Sequence, residues 1–141
     1  MNHPQTLAAK LYEHFPNRKL FNIKEYACCA FTLLWCLGYE PDDTEAINTV
    51  ADMIESGAIG KDCTVNWKDA VLFLSGRTIS KVEFKDVNSI KDIKERTPVR
   101  FDYNKKSHWV GVENGEVRFN SLAYSYCVEK GEPTTMRKII F

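Results

Sequence analysis

From Ala27 to Leu37 the chain reads Ala-Cys-Cys-Ala-Phe-Thr-Leu-Leu-Trp-Cys-Leu, and Gly38 stops the run. With the preceding Glu25 and Tyr26 this stretch predicts a helix that is apolar on every side. Such a helix has no face to offer water, so it must lie at the centre of the fold with other elements packed around it. It is about half the length that a membrane span requires. The rest of the chain is therefore cover for one buried helix, and 141 residues without a repeat or linker are sized for one domain, 1–141.

The covering elements change period along the chain. Gln5 to Phe15 places Leu7, Leu11, Tyr12 and Phe15 near one helical face, and Pro16-Asn17 ends it. Thr44 to Ser56 carries Ala46, Ile47, Val50, Ala51 and Ile54 at helical spacing, with Gly57 as its stop. Asn66 begins a further helix, with Asp69 at the third position, running to Gly76. After that, Ile79–Phe84, Pro98–Tyr103, His108–Glu113, Glu116–Ser121 and Met136–Phe141 read as strands, with a short helix expected at Ser89–Glu95. Asn114-Gly115 is a hairpin signal. Helices followed by an antiparallel sheet predict an α+β fold.

Nineteen basic residues balance nineteen acidic ones. That argues against a nucleic-acid partner held by bulk positive charge and against a polybasic membrane-surface binder. Apolar residues at 44% set the chain apart from disordered sequences. No signal peptide is visible, so a cytoplasmic location is expected, with release by another route open. Five cysteines in a reducing compartment are not a disulfide framework.

Their placement is more informative than their number. Cys28 and Cys29 fall near the start of the central helix, where unpaired N–H groups and the helix dipole favour a thiolate. Of three histidines, His3 lies in an expected loose terminus and His14 at a helix end. His108 begins a strand eighty residues after Cys28. A thiol on a helix facing an imidazole on a strand is the arrangement of a cysteine hydrolase. Cys36, Cys63 and Cys127 read as packing residues.

Ala27-Cys28-Cys29-Ala30-Phe31-Thr32 resembles the cysteine motif of the papain-like peptidase superfamily, and Ser107-His108-Trp109-Val110-Gly111-Val112 resembles its histidine strand. Asn120-Ser121 is similar to the family's next Asn-Ser pair. The length fits the minimal bacterial and phage branches, the bacteriocin-processing-like peptidases and the NlpC/P60 and CHAP hydrolases. The resemblance implies a papain-like fold, with N-terminal helices and a central Cys-bearing helix packed on a C-terminal antiparallel sheet. It assigns Cys28 as nucleophile, with Cys29 as the alternate, His108 as its partner, Asn120 as the residue orienting the imidazole, and Asn22 as the oxyanion donor. The family has Gln at the last position, an aromatic at Cys29 and a Trp at Leu122. Trp109 is then the aromatic available to cover the His–Asn pair. The implied partner is a peptide or peptidoglycan-like substrate, with no cofactor or metal.

The hairpin bears on Asn120 directly. A two-residue loop at Asn114-Gly115 pairs Val112 with Val117 and His108 with Ser121, and turns Asn120 to the opposite face. A three-residue loop sets His108 opposite Asn120, and a bulge reconciles the two. Ser121 is the alternate orienting residue. The expected chemistry is acyl transfer from a Cys28 thiolate–His108 imidazolium pair. Two other readings are weighed against it. One is an inactive papain-like binding or effector module. The other is a zinc site from Cys28, Cys29, Cys36, Cys63 and His108, although no closely spaced Cys pair of the zinc-binding kind is present.

Overall fold

In the computed structural model, which describes all residues from Met1 to Phe141, the apolar run forms a short helix that begins at Cys28 itself. Helices α1 (Pro4–His14), α2 (Arg18–Tyr26), α3 (Cys28–Cys36), α4 (Asp43–Ser56) and α5 (Trp67–Ser75) come first. Strands β1 (Lys81–Asp86), β2 (Thr97–Tyr103), β3 (Lys106–Glu113), β4 (Glu116–Phe119) and β5 (Glu132–Ile140) come after them, with a one-turn helix α6 (Tyr126–Lys130) before the last. The α+β plan read from the change of period holds.

The expected single helix from Glu25 to Leu37 is two. Asn17 caps α2 through its side chain, which accepts from the Leu20 N–H at 2.9 Å. The helix then breaks at Ala27, which ends α2 and starts α3. No helix is long and apolar enough to cross a membrane.

All five strands form one antiparallel sheet in the order β1-β5-β2-β3-β4. Its two faces carry two separate cores. Helix α3 covers one face, where Trp35 lies against Gly111 and stacks on Phe119 with ring centroids 6.1 Å apart. Phe31, Leu33 and Leu34 join Val50, Met53 and Ile59 in that larger core. Arg96 closes the C-terminal end of α3, donating to the Trp35 carbonyl at 2.8 Å and lying 4.2 Å from its ring. The opposite face holds Val99, Phe101, Val110 and Val112 under Cys127 of α6.

Residues Ser89–Glu95 form turns, not the expected helix. The carbonyls of Ile93 and Lys94 accept from the Gly115 and Asn114 N–H groups at the hairpin tip, so they are diverted from any helical ladder. Asn66 precedes α5 as expected, but its amide donates to the Asp69 carboxylate at 2.8 Å and caps no backbone group.

Candidate active site

The hairpin decides which residue reaches His108. Asn114 and Gly115 both have positive φ, 52° and 76°, as a two-residue type I′ turn requires, and Val112 pairs with Val117. One residue further the register shifts, so that Gly111 faces Phe119 and Arg118 is the extra residue of a bulge. The shift by one reverses side-chain parity in the residues beyond the bulge. Asn120 is thereby returned to the face of His108, and its Oδ1 lies 2.7 Å from His108 Nε2. Ser121 goes elsewhere: it is fully buried, and its hydroxyl donates to Gln5 Oε1 at 2.7 Å.

Asn120 Oδ1 also accepts from the Leu122 N–H at 3.0 Å. The Leu122 N–H can only donate, which identifies the atom it meets as the oxygen of the amide. His108 Nε2 therefore carries the proton, and the lone pair sits on Nδ1. Burial lowers the imidazole's pKa, while the Asn120 hydrogen bond raises it by less. The residue is 4% exposed.

The thiol approaches β3 where β4 has ended. Thr32, one turn after Cys28, donates through its hydroxyl to the Trp109 carbonyl at 3.3 Å. The Trp109 N–H faces the Cys28 sulfur, as do the N–H groups of Cys28 and Cys29. Cys28 is half-buried, and its sulfur makes no hydrogen bond with the imidazole. Strand alternation explains why. His108 pairs with Phe101 on the face packed by α6, whereas Trp109 and Gly111 face α3.

Burial raises the Cys28 pKa, and the three N–H groups offset this only in part. Burial of the thiol thus works against the expected thiolate, and crowding outweighs the helix terminus. Cys29 is buried and its thiol is raised further, which separates the two candidates.

Asn22 Nδ2 donates to the Lys61 carbonyl at 3.0 Å, which occupies one of its two N–H groups, and the Asn22 carbonyl lies 3.7 Å from Cys63 Sγ. The Cys28 N–H, in the first turn of α3, has no acceptor within that helix. Trp109 does not cover the His108–Asn120 pair: its ring lies on the other face, edge-on to Trp67 and 4.9 Å from the Arg137 guanidinium. The larger surface hollows lie away from the site, one of about 600 Å³ being bounded by Asp86, Asp92, Lys94 and Lys138. Tyr124 and Tyr126, an exposed edge-to-face pair 5.0 Å apart, rise between Asn120 and Cys127.

Three features went unread in the sequence. His3 is not loose: its ring donates to the Asn120 carbonyl at 3.0 Å, and its N–H bonds to Asp43. Cys63, at a strained φ of 64°, and Cys127 are buried as expected, yet both thiols lie close enough to Cys28 for their charges to couple. No signal in a single sequence marks such convergence. The five cysteines are free thiols, and no three of the His, Cys, Asp and Glu side chains converge as metal ligands. No family model matches the chain, and neither the curated proteins nor the solved structures contain a match.

The buried thiols make alkaline pH destabilising. Cys29 and Cys36 are raised by burial, and Cys63 is pushed up to about 12. In the unfolded chain a thiol ionises near about 8.5. Their contribution to stability is therefore complete below that value and is lost as pH rises toward the folded-state values. Urea unfolding at pH 10 is expected at a lower midpoint than at pH 7, and Cys63→Ala should narrow the gap. An equal midpoint at the two pH values counts against this.

Proposed function

We propose that the chain is a papain-like cysteine hydrolase that cleaves peptide or amide bonds through a thioester. The observation that carries this reading is the 2.7 Å contact of Asn120 Oδ1 with His108 Nε2. It fixes the imidazole with a free Nδ1 lone pair, one residue before the Trp109 amide that meets the Cys28 sulfur.

In this reading His108 works as a general base on a neutral thiol. As the sulfur bonds to the substrate carbonyl carbon, Nδ1 takes the thiol proton and the carbonyl electrons move to oxygen. The Cys28 N–H, in the first turn of α3, donates to that oxyanion, a role typically worth ~3 kcal/mol of barrier. The oxyanion then collapses, the C–N bond breaks, and the imidazolium gives its proton to the departing amine. Water, deprotonated by His108, attacks the thioester and releases the acid and the thiol. Asn120 holds the tautomer throughout. The stretch of β3 before Gly111, which β4 leaves unpaired, offers an edge along which an extended peptide segment would lie.

Competitive labelling with iodoacetamide at pH 7, mapped by mass spectrometry, tests the reading. Cys28 is expected to react at least tenfold faster than Cys36, the other half-buried thiol. Equal rates sink it and leave the non-enzymatic binding module, which predicts ordinary thiols.

A further inference from the structure

Residues 3–6 lie against the loop that carries Asn120, and Gln5 is the centre of that contact. Its side chain is 3% exposed, and both ends are hydrogen-bonded. Oε1 accepts from the Ser121 hydroxyl at 2.7 Å, while Nε2 donates to the Lys24 carbonyl at 2.7 Å. The backbone joins in. The Gln5 and Thr6 N–H groups both donate to the Ser121 carbonyl, and the Ala123 N–H donates to the Thr6 hydroxyl. The first turn of α1, which has no side-chain cap, is thereby capped by the loop, and the loop is held by α1.

The Lys24 carbonyl has a particular place in the helix ladder. It lies four residues before Cys28, so in a continuous helix it would accept the Cys28 N–H. The Ala27 N–H bonds to Ile23 and the Phe31 N–H to Ala27, and the helix breaks between them, so the N–H groups of Cys28, Cys29 and Ala30 have no acceptor within α3. The Gln5 amide occupies Lys24 in place of Cys28. One buried side chain thus stands at the break that exposes the Cys28 N–H, and at the loop that delivers Asn120 to His108.

We propose that Gln5 is a positioning residue for the site, a strut that fixes the α2–α3 break and the Asn120 loop relative to one another. The proposal rests on the hydrolase reading for its catalytic meaning, although the geometry it predicts is measurable without it. Removing the strut lets Lys24 recapture the Cys28 amide and loosens the orientation of the imidazole. Supporting residues of this kind typically matter by about 10- to 100-fold.

The test uses Gln5→Met, which keeps the length and volume and removes both hydrogen bonds, and Ser121→Ala, which removes only the loop arm. Three quantities are read in each folded variant. They are the pH 7 rate of Cys28 alkylation, the NMR titration midpoint of His108, and the hydrogen-exchange rate of the Cys28 amide. Gln5→Met is expected to slow alkylation about tenfold, to move the His108 midpoint downward as the Asn120 bond weakens, and to slow exchange of the Cys28 amide. Ser121→Ala should shift the His108 midpoint in the same direction and leave the Cys28 amide unchanged. In an Asn120→Ala background, Gln5→Met should produce no further change in the His108 midpoint. A wild-type midpoint and wild-type exchange in Gln5→Met overturn the strut, as does full additivity with Asn120→Ala. If wild-type Cys28 alkylates like an ordinary thiol, the hydrolase reading fails, while the midpoint and the amide exchange still decide the role of Gln5. If Gln5→Met does not fold, Ser121→Ala decides by itself: an unmoved His108 midpoint overturns the proposal.

Discussion

The rate of Cys28 alkylation plotted against pH should rise on the acid side of the ordinary histidine range and then level off near neutrality. The reason lies in which group must lose a proton. In the proposed mechanism, reaction requires that His108 be free to accept the thiol proton, and burial has moved that ionisation downward. His108→Ala removes the base. Attack then depends on the thiolate alone, and burial has moved that ionisation upward. The profile of the variant should lie on the alkaline side of the ordinary cysteine range, with at least about a hundredfold loss at pH 7. Asn120→Ala should fall between the two, because the base survives but its tautomer and orientation are released. A His108→Ala profile that overlays the wild type would sink both the pairing and the mechanism. A wild-type profile that tracks an ordinary thiol would do the same.

Gly111→Ala is expected to be the most damaging small change near the site. A Cβ on Gly111 points into the six-membered ring of Trp35 and also crowds the Phe119 side chain. Trp35 has little room to move. It is 4% exposed, stacked on Phe119 and covered by Arg96, whose guanidinium also holds the Trp35 carbonyl. Overpacking of this kind typically costs about 1–3 kcal/mol, and a constrained ring places this case near the upper end, about 3 kcal/mol in urea unfolding. In a Trp35→Leu background the added methyl has space. There the same substitution should cost less than about 1 kcal/mol, a coupling that identifies the clash as its cause. Equal costs in the two backgrounds would refute it. Because Gly111 is also where the bulge begins, the His108 titration midpoint should move in the single variant.

Much of the plan was readable from local pattern. Val112, Val117 and the Asn-Gly between them specify the hairpin register, and helical spacing located α1, α4 and α5 to within a few residues. The departures have tertiary causes. Nothing in Glu25–Leu37 marks a break at Ala27, since the hydrogen bond that replaces a helical one comes from Gln5. Ile90 and Ile93 have the spacing of a helix but serve the smaller core from a turn, their neighbouring carbonyls being taken by the hairpin tip. Helix α6 is five residues long, too short to leave a period. Within the site, the identities of Cys28, His108 and Asn120 were visible, and the bulge was one of two ways to join the last two. The upward shift of the Cys28 thiol was not, because it depends on how densely atoms crowd it. The engagement of Asn22 by Lys61 lay equally beyond any motif.

The contacts between Gln5 and Ser121 span 116 residues. Closing a loop of that size is entropically slow, and contacts so distant in sequence form late in folding. During synthesis the Cys28 helix leaves the ribosome long before the loop that carries Asn120. Until that loop docks on α1, the imidazole has no orienting partner. In the hydrolase proposed above, a nascent or partly folded chain would therefore carry its thiol without an oriented imidazole, and cleavage of amides would begin only once the two ends of the fold have met.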